Sequence, residues 1–208
     1  MRYWYFVPTL PGFLFTSPPP MREEDFLEKA EKYMEPEDFA ELRKGPEFFT
    51  SETVPPDFRS SLLHDYVTWE RSMRNELSIL RCRTAGLSEV TKYVRPIEAI
   101  VATSSSEAPS DPLAQQAQFS ARRVFEVQDP LLAEQALEHE RWNCLDELAR
   151  SSYFDLDFLI AYYLKLRIVT RLAYFDQERG MAAYKRLYND ILGSGSNTAQ
   201  TATSGDIV

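Results

Sequence analysis

The sequence predicts a mainly α-helical fold: a bundle-like single domain over residues 1–192, with a short extended or β segment at its N-terminus. Three observations carry this. Leu62, Tyr66, Trp69, Met73, Leu77 and Leu80 recur at steps of three and four, drawing one apolar stripe. Two Asp-Pro pairs, Asp111-Pro112 and Asp129-Pro130, each offer an N-cap followed by a first helical residue. The stretch from Leu156 is apolar on nearly every side for about five turns, the pattern of a helix enclosed by others.

Taken in order, residues 3–15 are rich in Tyr, Trp and Phe and are broken by Pro8 and Pro11, which forbid a continuous helix and leave a strand or a buried extended path. The prolines at 18–20 form a stiff spacer. A helix over Arg22 to Met34 buries Phe26, Leu27, Ala30 and Met34, and Glu23, Glu24 and Asp25 sit where the helix dipole favours negative charge. Pro36 starts a second short helix with Phe39, Ala40 and Leu42, ending at Lys44 and Gly45, so the two acidic helices form a hairpin.

Pro55 and Pro56 close a loop containing Phe48 and Phe49 and open the long helix, roughly Asp57 to Thr84. Residues 87–99 fit no single pattern, and residues 101–112 form an exposed loop of small residues and proline. Helices follow at about 112–126 and 130–150. Asp155 caps the central helix, 156–175, and a last amphipathic helix after Gly180 carries Met181, Tyr184, Leu187, Tyr188 and Ile191. Residues 193–208, rich in Gly, Ser, Thr and Ala, read as a disordered tail.

Composition narrows the partners. A formal charge of -9 argues against nucleic acid or a polybasic membrane patch, because both need clustered cations. The longest uncharged apolar run, Phe158 to Leu164, stops at Lys165, with Arg167 and Arg171 beyond, so no direct membrane insertion is expected. The aromatic N-terminus has no small-residue cleavage site and reads as part of the mature fold. Cys82 and Cys144 lie far apart, without CxxC or metal spacing, and read as reduced core thiols of a cytoplasmic protein.

No catalytic, cofactor-binding or metal-ligating residue emerges. The chain has seven glycines and neither phosphate-binding motif, GxxxxGK[ST] or GxGxxG. His64 and His139 lack the Glu three positions earlier that a di-iron helix supplies, and His139 in HERWN lacks the second histidine of HExxH. Asp155 and Asp157 flank a helix start, where capping explains them; a small metal-independent hydrolase built on Asp155, Asp157 or His64 is the enzymatic alternative. The candidate protein interface consists of Arg71, Arg74 and Arg81, which steps of three and seven place on one side of the long helix, with Trp69 and Trp142. For the arginines the alternative is a solvated face paired to glutamates, and for the tryptophans a place in the core.

The aromatic start YWYFVPTLPG, the segment DPLLAEQALEHERWNCLDEL from Asp129 to Leu148 and SSYFDLDFLIAYYLKLRIVTRL from Ser151 to Leu172 resemble an uncharacterised bacterial family encoded beside the subunits of V/A-type ATPases. The Leu145-Asp146 step, the Tyr153-Phe154 turn and the helix ending in Arg167 more faintly resemble the C (or d) subunit of those ATPases, an all-helical, non-catalytic piece of the central stalk. That subunit is longer and has three similar lobes, whereas no internal repeat is visible here. The resemblance implies a non-catalytic accessory or central-stalk subunit without cofactors, whose partners are other ATPase subunits, the rotor shaft or the membrane ring. It would be cytoplasmic and peripheral at the membrane through the complex. The rival is a helical adaptor for an unrelated protein partner.

Overall fold

The computed structural model describes residues 2–48, 58–87, 111–175, 185, 186 and 188. Packing divides the chain into two compact units, Met1–Leu172 and Ala173–Val208. In the second, Lys185, Arg186 and Tyr188 are helical. The expected loop at 101–110, the ambiguous segment near 90–99, the tail from 193 and most of the last amphipathic helix lie outside the described residues. The first unit carries the helical bundle, and no strand occurs among the described residues.

The helices are α1 (Glu23–Tyr33), α2 (Pro36–Phe48), α3 (Ser61–Thr84), α4 (Pro112–Phe125), α5 (Pro130–Leu148) and α6 (Leu156–Tyr174). Local chemistry sets their starts. The side chains of Asp111 and Asp129 accept from the amides of Leu113 and Leu132, with Pro112 and Pro130 supplying the pre-set first turn. Asp155 accepts from the Phe158 amide at 3.0 Å and so caps α6, as its position suggested.

Two boundaries differ from expectation. The long helix begins at Ser61 rather than near Asp57, because Ser60 is its N-cap and accepts from the Leu63 amide. The Arg59 and Ser60 amides preceding it turn to the buried Glu41 carboxylate at 2.7 and 3.3 Å. Helix α2 runs through Gly45 and Pro46 to Phe48 instead of stopping at Gly45. Gly45 acts there as a packing residue and not as a C-cap: a Cβ on it would lie 3.2 Å from Leu63 Cδ1 and 3.6 Å from Leu164 Cδ2, so α3 and α6 approach α2 through the missing side chain.

The α1–α2 hairpin forms, and α3 packs against α2, α4 and α5. The apolar stripe of α3 is buried from Leu62 through Leu77. Helix α6 is enclosed much as its composition requires, with Leu159 to Leu164, Leu166, Ile168 and Val169 buried. Phe26 of α1 stacks on Tyr162 and Tyr163 with ring centroids 5.4 and 5.3 Å apart. Burying one such ring contributes roughly 1.5–3 kcal/mol. Cys82 and Cys144 are free thiols in buried positions.

The N-terminal segment takes an irregular path with a single 3-10 turn at Val7–Thr9. It is tied down at several points. The amides of Arg2 and Tyr3 both donate to the Phe154 carbonyl at 3.1 and 3.0 Å, the Tyr3 hydroxyl donates to the buried Asp38 at 2.5 Å, and the Tyr162 hydroxyl donates to the Pro11 carbonyl at 2.9 Å. Tyr3 and Phe6 are buried, so this strap is part of the core rather than a loose leader.

Candidate functional site

Two groupings of side chains stand out, and both use α5. The first is a closed ionic cluster where α3 meets α5. Glu70 of α3 accepts from Arg141 at 2.6 and 3.0 Å and from Arg74 at 2.6 Å, while Glu138 accepts from Arg141 at 2.8 Å and pairs with Arg171 at 3.0 Å. Burial pushes the Glu70 carboxyl up, but the Arg141 and Arg74 guanidiniums more than offset this and hold it below the ordinary range. For Glu138 burial prevails over the same kind of pairing, and its carboxyl is pushed up. Burial would lower the Arg141 guanidinium, yet its two carboxylates raise it, so it stays charged. Each polar group here answers another, which is the arrangement of a structural cluster.

The second grouping is open. On α5 and its C-cap, residues 139, 142, 146 and 149 share a face, because they advance by three or four; on α6, residues 161 and 162 stand three and four positions after 158, and 165 four and three after them, which keeps all four on one side. These faces, the strap from Leu10 to Thr16 and Arg150, Ser152 and Tyr153 of the following turn line a groove of about 720 Å³. Its wall is rich in aromatic rings. Phe13 meets the Trp142 and Tyr162 rings edge-on with centroids 5.6 and 5.1 Å apart, and Phe15 meets Trp142 and His139 at 5.8 and 5.0 Å. Lys165 lies 5.1 Å from the Trp142 ring centroid and also pairs with Asp146. Among the lining residues, Leu14 and Tyr153 are 70% and 66% exposed, which gives the groove an apolar rim.

Burial raises the Tyr162 hydroxyl to about 12, so it remains a donor at every physiological pH. The Trp142 indole N–H and the Tyr153 hydroxyl donate to no acceptor among the described residues. A concave, largely apolar site with several aromatic rings and a few donors is suited to binding.

The structure separates the expected interface residues. Trp69 is fully buried with its stripe, and Trp142, 9% exposed, is both a core anchor and a groove wall. The cationic strip on α3 does not form: Arg71 is 6% exposed and inside the protein, and Arg74 bends to Glu70, leaving Arg81 as the exposed member of the three. The physical reason is that α3 is covered on more than its apolar stripe, so Glu70, Arg71, Ser72 and Asn75 are buried along with it. Asp155 is spent on the α6 cap, Asp157 accepts from the Ser60 hydroxyl at 2.6 Å, and His64 sits beside Asp65 on the exposed side of α3. None of these three lines the groove. No group of three or more potential metal ligands gathers among the described residues.

Sequence reasoning did not mark Phe13, Phe15, Tyr153 or Lys165 as site residues. The signal was present in the matching three-and-four steps on α5 and α6, but nothing local says that the two faces turn toward one another.

No helix among the described residues is long and apolar enough to cross a membrane. No curated protein and no solved structure matches the chain. The family described as "Protein of unknown function (DUF2764)" matches residues 46–194, which takes in α3 to α6 and leaves the strap and α1 outside the match. With more than half of its length matched in this way, the chain belongs to the DUF2764 family.

Proposed function

We propose that this protein is a non-catalytic accessory or central-stalk (C/d-like) subunit of a V/A-type ATPase, cytoplasmic and held at the membrane through the complex. It would tether or couple soluble rotor parts to the membrane ring. The observation that carries a partner-binding role is the open groove lined by aromatic rings of α5, α6 and the strap, with an exposed rim at Leu14 and Tyr153. What directs it toward the ATPase is the resemblance of the Asp129–Leu148 and Ser151–Leu172 segments to the family encoded beside ATPase subunits. A coupling piece needs stiff helices and a docking surface, and the enclosed α6 with the closed Glu70–Arg141–Glu138 cluster fits the first need.

Affinity purification of the tagged protein from native cells, under conditions that keep the ATPase intact, is expected to recover its other subunits. Repeated recovery of none would end this reading. The same groove would serve a helical adaptor with an unrelated partner, and that outcome would show as one reproducible partner outside the ATPase.

A further inference from the structure

We infer that the groove between α5, α6 and the strap binds an extended, proline-rich segment of a protein partner. The inference rests on the partner-binding reading above and names what the groove would recognise.

The first argument is that this aromatic surface already holds a proline-containing stretch of its own chain. Leaving the 3-10 turn of Val7–Thr9 through Leu10, whose backbone is extended, the strap lays Leu10-Pro11-Gly12-Phe13 against α6: the Tyr162 hydroxyl donates to the Pro11 carbonyl at 2.9 Å, and Phe13 meets the Trp142 and Tyr162 rings edge-on. An aromatic hydroxyl on a proline carbonyl, with rings flanking the chain, is the chemistry by which aromatic grooves read extended proline-rich backbone.

The second argument is the balance of donors and acceptors in the space that is left. Beside the strap the groove is lined by the donor-bearing side chains of Trp142, Tyr153 and Arg150; among the described residues the first two have no acceptor and the third reaches Glu147 only at 3.8 Å. Its carboxylate, Asp146, is paired with Lys165. A fitting occupant therefore brings carbonyl acceptors and few N–H groups. Proline lacks the amide hydrogen, and a polyproline-type chain leaves its carbonyls without internal partners. A helical occupant would have consumed its carbonyls in its own ladder and could not answer these donors along its length. The apolar rim of Leu14 and Tyr153 suits pyrrolidine rings, which pack flat on aromatic faces at little entropic cost.

The test uses the full chain, labelled with nitrogen-15, and a capped Pro-Pro-Leu repeat peptide of about ten residues, long enough for about three turns of polyproline helix. Capped Gly-Ser and Ala-rich helical peptides of the same length are the comparison probes. The Trp142 indole resonance, assigned through Trp142→Phe, is expected to shift saturably with the proline peptide while that of the enclosed Trp69 stays in place. Tyr153→Phe alters an exposed residue, keeps the fold, and is expected to weaken binding about five- to tenfold, one hydrogen bond's worth. Trp142→Phe should weaken it by at least about tenfold, having lost both ring area and donor.

Absence of a Trp142 shift at millimolar peptide overturns the inference. So does equal or tighter binding of either comparison peptide, or unchanged affinity in both variants. Recovery of ATPase subunits together with a failed peptide titration would sink this inference alone, whereas peptide binding by a protein that recovers no ATPase subunit would sink only the ATPase assignment.

Discussion

Arg141 and Trp142 are neighbours on α5 that do opposite kinds of work. The Arg141 side chain points toward α3 and is saturated by Glu70 and Glu138, whereas the Trp142 ring faces α6 and the strap, under Lys165, at the edge of an open groove. One side of the helix is closed, with its donors answered inside the protein. The other sets its rings against one another and leaves donors for something else. A buried, fully answered polar group fixes how two helices meet, while a preformed aromatic wall with unanswered donors is surface held ready for a ligand.

The sharpest way to break this comparison is at Arg141. Arg141→Leu leaves Glu70 and Glu138 buried without their shared cation and is expected to cost about 3–5 kcal/mol in urea unfolding. The Glu70→Leu, Arg141→Leu pair should recover much of that loss, since removing both charges removes the need for either. An additive double mutant would mean that the two residues do not stabilise as a unit.

On the open side, Trp142→Ala is expected to cost about 3 kcal/mol, the low end for a large aromatic, because one face of the ring already borders a cavity. Phe158→Ala, a half-buried groove residue, should cost about 1–2 kcal/mol by lost area. If Phe158→Ala proved the costlier of the two, the groove would be more tightly packed than its volume implies.

The cluster also predicts a pH signature. Glu138 holds its proton more firmly folded than unfolded, so its contribution is fully present below the ordinary carboxylate value and is lost as pH rises through its raised value. Glu70 has the opposite sign: its contribution is present above the ordinary value and is lost as pH falls through its lowered one. Unfolding midpoints between about pH 3 and 7 should therefore show Glu138→Gln flattening the upper part of the profile and leaving the acid limb in place. A flattened acid limb instead would reverse the assignment of the two carboxylates. Smallest of all, Arg81→Glu on the exposed end of α3 should change stability by less than about 0.5 kcal/mol.

Much of the bundle was legible in advance. The Asp-Pro pairs, the stripe from Leu62 to Leu77 and the all-round apolar face after Leu156 are local signals, and each led to the helix that forms. What escaped was whatever depends on the neighbour. Gly45 looked like a stop signal because isolation favours that reading, and only the approach of Leu63 and Leu164 makes it a contact point. Spacing placed Arg71, Arg74 and Arg81 on one side but could not tell how much of that side would be covered. Glu70 and Arg141 lie 71 residues apart, and no periodicity within either helix announces their meeting. The groove escaped for the same reason: its two faces were readable singly, and their juxtaposition was not.

The three tryptophans sit at three depths: Trp4 is 53% exposed, Trp69 lies wholly inside the α3 stripe, and Trp142 borders the groove beneath an ammonium group. They amount to a set of built-in optical probes. With Trp4 replaced by Phe, emission from Trp69 would report on the integrity of the bundle and quenching of Trp142 on occupancy of the groove, so unfolding and ligand arrival could be followed separately in one cuvette without any added dye.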